Sequence, residues 1–146
     1  MTSYRLHIGI DLVNLELTHL LVTDKHTGES LKNYPLSQGD VAVVDRGLCH
    51  ASGISEKKEE GADVVARYNP TVMPLYHDDG TPLELIAELE KKPKTTRMNF
   101  SVSAKVHSKN QKKNELPTLL EGHLRVKRLS SVEAKAARTR CRSRRF

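Results

Sequence analysis

The sequence predicts an α/β fold: a mixed sheet with helices, followed by a β-rich region and a basic C-terminal helix. Three observations carry this. Val41 to Val44 is a short, wholly apolar, mostly β-branched run after Gly39-Asp40, with Asp45 at its tip. Such a run reads as a strand covered on both faces of a sheet. Two other segments, Tyr4–Ile10 and Phe100–Val106, alternate apolar and polar residues with the period of half-buried strands. Finally, Ser130-Ser-Val-Glu133 is a capping box ahead of an Ala- and Arg-rich stretch, where a helix should begin.

Taken in order, Leu6, Ile8 and Ile10 fall on one face of the first strand, and Arg5, His7 and Gly9 on the other. Asp11–Asn14 reads as a turn. Glu16–Val22 is a second strand, antiparallel to the first. Asp24–Gly28 has turn composition, and Glu29–Tyr34 reads as a short helix stopped before Pro35. After the Val41–Val44 strand, His50–Glu60 is a helix ended by Gly61. Its run Lys57-Lys58-Glu59-Glu60 reads as a solvated face. Asp63–Arg67 is another short strand. Residues 71–129 form a β-rich region, with an Asp79-Gly80 hairpin turn, an amphipathic Leu83/Ile86/Leu89 segment and two strands, Phe100–Val106 and His123–Leu129, expected to pair antiparallel. Residues 130–146 are the basic helical tail.

Charge is unevenly spread. From His123 onward nine basic residues stand against Glu133 alone, net +8, whereas residues 1–122 carry 15 basic and 17 acidic residues, net −2. A tail of this kind suits a nucleic acid or an acidic partner. Arg138, Arg140, Arg142, Arg144 and Arg145 are its candidate phosphate contacts, since a guanidinium pairs bidentately with phosphate oxygens. The 146 residues are 37% hydrophobic and only 4% aromatic with no Trp, lean for an independent enzyme domain. Cys49 and Cys141 follow no metal spacing and, with no secretory signal, read as reduced thiols of a cytoplasmic protein. No apolar stretch approaches the length of a membrane span. The seven histidines lack the spacing of a zinc helix, Asp78-Asp79-Gly80 lacks the later ligands of a calcium loop, and there is no phosphate loop or nucleophile elbow.

Asp45 is the leading candidate for chemistry, because in open α/β sheets ligands collect at the carboxyl ends of strands. The plain alternative is that it caps the following turn or helix.

Three blocks carry a family resemblance: Tyr4-Arg-Leu-His-x-x-x-Asp11-Leu12, then Gly39-Asp-Val-Ala-Val-Val-Asp45-Arg46-Gly47, then Gly61-Ala-Asp-Val-Val-Ala-Arg67-Tyr-Asn69. Together they resemble the catalytic core of bacterial DDE transposases of the insertion-sequence-four type. Arg125–Leu129 and the Ala/Arg-rich sequence after it resemble the segment that follows that family's β-strand insertion.

The resemblance implies an RNase H-like fold, with residues 1–70 a partial catalytic core. It implies Mg²⁺ or Mn²⁺ as cofactor, held by three carboxylates, and DNA transposon ends as partner, cut and joined by phosphoryl transfer, with no membrane involved. Asp45 matches the second carboxylate, as catalytic residue and metal ligand. The first carboxylate belongs to a strand upstream of Tyr4, and the third to a Tyr-x-x-Arg-x-x-x-Glu-x-x-x-x-x-x-Lys signature beyond the insertion; neither is in this chain. Asp11 matches a position in the second strand of the family and is not expected to be one of the three carboxylates. Lys57 and Lys58 sit where the family turns apolar side chains inward.

The absent strand is central in an RNase H-like sheet, so the strand ending at Asp11 and the Val41–Val44 strand are expected to lose their shared partner. The expectation is a transposase fragment without independent catalysis. The alternatives are a non-enzymatic basic nucleic-acid-binding protein and a translated remnant without function.

Overall fold

The computed structural model describes residues 3–107 and 116–142, the last five as backbone only. The fold is mixed α/β, with three small sheets and three α-helices among the described residues. The chain divides into two compact units, Met1–Pro74 with Ala104–Leu120, and Leu75–Ser103 with Glu121–Phe146. None of the described helices is long and apolar enough to cross a membrane.

In the first unit, β1 (Tyr4–Asp11) and β2 (Glu16–Asp24) form the expected antiparallel hairpin, with a bulge between Gly9 and Ile10. Leu6 pairs with Val22, Ile8 with Leu20 and Ile10 with Leu17, so the apolar residues do share a face. That face is exposed. The covered face is the polar one: His7 is buried, its Nε2 2.9 Å from Thr23 Oγ1, and the rings of His7 and His19 meet Tyr34 edge-on at 6.0 and 5.5 Å. His19 Nε2 is enclosed with no hydrogen-bond partner among the described residues.

Tyr34 follows a 3-10 turn at Leu31–Asn33, shorter than the helix expected there. Ser30 caps it by accepting from the Lys32 N–H at 3.3 Å. Leu31 is buried against Gly53 of α1 (Ala51–Glu59), where a Cβ would come within 3.2 Å of the Leu31 Cβ. Glycine is thus what lets turn and helix approach this closely.

Between turn and helix runs β3 (Val41–Val44), and after the helix β4 (Asp63–Ala66). The two are parallel, in register Val41↔Asp63 to Val44↔Ala66. The helix ends as the sequence predicts. Gly61 has φ +87°, its N–H reaches the Lys58 carbonyl at 3.0 Å, and the Ala62 N–H reaches the Lys57 carbonyl at 2.9 Å. These are the two bonds of a Schellman cap.

Two expectations are corrected. The Val41–Val44 strand is not covered on both faces: Val41 and Val43 are 60% and 65% exposed, while Ala42 and Val44 lie on the half-buried side. The apolar run signals two-sided burial only when two layers are present, and here α1 supplies one. Nor is Lys57 part of a solvated run: it is 3% exposed, and its Nζ bonds both Glu60 carboxylate oxygens at 2.8 and 3.1 Å. The aliphatic stem fills an apolar position while the ammonium reaches a carboxylate at the rim.

β1–β2 and β3–β4 are separate sheets, so β1 and β3 each have one unpaired edge among the described residues. In β3 the free groups can be named. The Asp63 N–H bonds the Asp40 carbonyl at 2.8 Å and the Arg67 N–H the Val44 carbonyl at 3.3 Å. Even-numbered residues of β3 therefore bond to β4, and the N–H groups of Val41 and Val43 point to the open edge.

The second unit holds β5 (Leu75–Tyr76), α2 (Leu85–Glu90), most of β6 (Arg97–Val106) and β7 (Thr118–Lys127), and α3 (Ser131–Arg142). Its sheet runs in the order β5-β6-β7. Asp79-Gly80 forms the expected turn: Gly80 has φ +80°, and Asp79 Oδ1 accepts from the Thr81 N–H and hydroxyl at 2.9 and 2.6 Å. α3 opens on the predicted capping box. The Ser130 N–H reaches Glu133 Oε2 at 2.8 Å, and the Glu133 N–H reaches Ser130 Oγ at 3.2 Å.

Candidate functional site

Asp45 stands at the C-terminal tip of β3, where the chain leaves the strand and enters a 3-10 turn, Arg46–Leu48. The residue occupies the N-cap position with extended backbone, and its carbonyl accepts the Leu48 N–H at 3.0 Å. Its carboxylate makes no capping hydrogen bond. The side chain is thus not consumed by the turn, which removes the plain structural use of an aspartate here.

Instead, Asp45 Oδ1 pairs with Arg67 Nη2 at 3.1 Å, both side chains largely exposed. The sequence accounts for this pair. Val44 and Ala66 end parallel neighbours in direct register, so the next residue of each strand, Asp45 and Arg67, emerges at the same level of the sheet. The Arg67 guanidinium faces one carboxylate oxygen, and among the described residues no hydrogen bond reaches the other. Arg67 lies in the block Gly61–Asn69, where the sequence alone gives it no role. The β3/β4 register was the signal that could have supplied one.

Asp11 ends β1 but is engaged otherwise. Its carboxylate accepts from the Val13 N–H at 2.7 Å, the Asn14 N–H at 3.3 Å and the Asn14 side-chain amide at 2.8 Å. These bonds, the Val13 N–H foremost, hold its carboxyl below the usual carboxylate range. Asp11 is a turn-former, as its local sequence implies.

Cys49, behind the 3-10 turn, is 1% exposed. Burial pushes its thiol pKa up, with the Asn69 backbone partly opposing. A neutral buried thiol is a poor nucleophile and a poor ligand.

The fit to the metals implied by the resemblance is decided by the donor set. A two-metal site needs several carboxylates converging on ions about 3.5–4 Å apart. Among the described residues no three His, Cys, Asp or Glu side chains form a group able to hold a metal. Asp45 offers one carboxylate, already facing a guanidinium. The described residues do not by themselves make that site.

The arginine-rich candidates fall at the far end of the chain. Arg138, Arg140 and Arg142 lie on the backbone of α3, their side chains outside the described residues, and Arg144 and Arg145 lie outside them altogether.

No protein-family model, no curated protein and no solved structure matches the chain.

Proposed function

We propose that this chain is part of the catalytic core of a DDE transposase of the insertion-sequence-four type, in which Asp45 is one of the carboxylates that bind Mg²⁺ or Mn²⁺. One observation supports the reading most. An antiparallel hairpin and a parallel β-α-β pair stand as two separate sheets, with one edge of β1 and one of β3 unpaired among the described residues. An RNase H-like sheet runs its central strand between those two. The uncapped carboxylate of Asp45, at the carboxyl end of β3, supports it further.

On this reading the chain does not catalyse phosphoryl transfer alone, because one carboxylate cannot clamp two metals. Asp45 and Arg67 present a charged pair at the strand ends, and the remaining ligands come from sequence not in this chain.

The DNA flanking the coding segment tests the proposal. Translated upstream, it should encode an apolar strand carrying an Asp; downstream, the Tyr-x-x-Arg-x-x-x-Glu-x-x-x-x-x-x-Lys signature. Flanks with neither, in any frame, contradict it. So does metal-dependent nicking of a duplex by the purified chain that disappears in Asp45→Ala, since the chain would then hold a complete site.

The charge of residues 123–146 favours a second reading, a basic nucleic-acid-binding protein. DNA binding that weakens steeply with salt and is lost on deleting residues 138–146, in a chain whose flanks lack the transposase signatures, would favour it instead.

A further inference from the structure

The exposed face of the β1–β2 hairpin carries Leu6, Ile8, Ile10, Leu17, Leu20 and Val22, each between 46% and 60% exposed. They are three directly opposed cross-strand pairs, hence one continuous patch. We infer that this face is a homodimer interface, on which a second copy of the chain packs its own β1–β2 face about a two-fold axis.

Charge narrows the choice of occupant. The strand residues on this face include no Lys or Arg; Arg5 lies on the other face, donating to the Thr27 carbonyl at 2.7 Å. A nucleic acid or an anionic lipid surface needs cations to dock. The one acid, Asp24 opposite Tyr4, sits at the end of the patch and spends its carboxylate on the His26 and Thr27 N–H groups at 3.0 Å. Apposing two such faces brings no like charges together at the centre, and the patch is complementary to itself, as an isologous contact requires.

Area supports the same occupant. Six half-exposed aliphatic side chains with Tyr4 leave on the order of 500 Å² of apolar surface per copy, beyond scattered surface residues. Two faces together bury about 1,000 Å², the lower bound for a specific interface. Two-stranded sheets pack face to face at about 10 Å, and aliphatic pairs of this size fill that layer. The association expected is reversible and weak, in the micromolar range.

Sedimentation velocity of the full chain over a micromolar concentration series tests it. The unaltered protein shows a monomer–dimer equilibrium that persists in high salt and after nuclease treatment. Leu20→Glu and Ile8→Glu each weaken dimerisation by about tenfold or more, because each buries a charge in the interface. Ile86→Glu, which removes a still more exposed apolar side chain on α2, leaves it unchanged. Far-UV circular dichroism checks that the variants fold; should a Glu variant fail, Ile8→Ser, with a smaller loss in the same direction, decides. The inference is overturned if the unaltered chain stays monomeric, if both face variants dimerise as tightly as it does, if Ile86→Glu weakens dimerisation equally, or if salt or nuclease dissolves the dimer.

Discussion

Arg67 holds Asp45 across the carboxyl ends of two parallel strands, guanidinium Nη2 3.1 Å from carboxylate Oδ1. The pair lies in solvent, and exposed ion pairs of this kind contribute about 0–1 kcal/mol. Because the carboxylate caps nothing, Asp45→Asn should shift the unfolding free energy by no more than about 0.5 kcal/mol. Urea denaturation of the two proteins measures it. A loss of several kcal/mol would make Asp45 a structural residue and remove the reason to assign it chemistry.

Gly61 is held at φ +87°, and a Cβ there would meet Gln38 Cγ at 3.0 Å and Cβ at 3.3 Å. Gly61→Ala should therefore cost about 1–2 kcal/mol, from left-handed strain and from the displaced Gln38. The lowered urea midpoint, with unchanged denaturant slope, is the expected signature.

Lys57 presents a different kind of burial. Its stem is enclosed and its ammonium is neutralised by Glu60. Lys57→Met keeps the stem and dispenses with the charge, so stability should stay level or rise by about 1 kcal/mol. Lys57→Ala, which leaves the space empty, should lose about 1–2 kcal/mol. Thermal unfolding of the two variants separates packing from charge.

Glu133 titrates far below its ordinary value, at about 2, because Lys127 donates to its carboxylate and the Ser130 backbone N–H does so as well. A carboxylate whose folded pKa is depressed adds stability above its unfolded pKa. That contribution is lost as pH falls from about 4.5 toward about 2. Comparing the original protein with Glu133→Gln cancels the other carboxylates: the gap between their unfolding midpoints should shrink steadily across this window. A gap independent of pH would show that the capping box does not draw on the charge.

The parts legible in the sequence are those fixed by local chemistry. Ser130 and Glu133 form their reciprocal cap, Asp79-Gly80 its turn and Gly61 its helix stop, because each depends on a few adjacent residues. The pairing of β1 with β2 was legible because a short turn joins them. What failed depends on which layers are present. Alternation sorted Leu6, Ile8 and Ile10 from His7 correctly, yet the face that is covered is the one with His7. Tyr34 lies on that side, and nothing in the period of a strand says on which side its neighbours stand. Val41 and Val43 are open for the same reason. Lys57 was misread because a long stem can fill an apolar position, and Arg67 was overlooked because its role follows from the register with β3, a relation between segments.

The proposal depends on β3 having an open edge beside Asp45, where the central strand of an RNase H-like sheet would pair. Backbone amide hydrogen exchange, resolved by NMR along β3, tests it directly. Ala42 and Val44, bonded to β4, should be protected, and Val41 and Val43, facing the open edge, should exchange close to the rate of an unstructured chain. Equal protection at all four residues would mean that a strand already pairs with that edge, and would contradict the account.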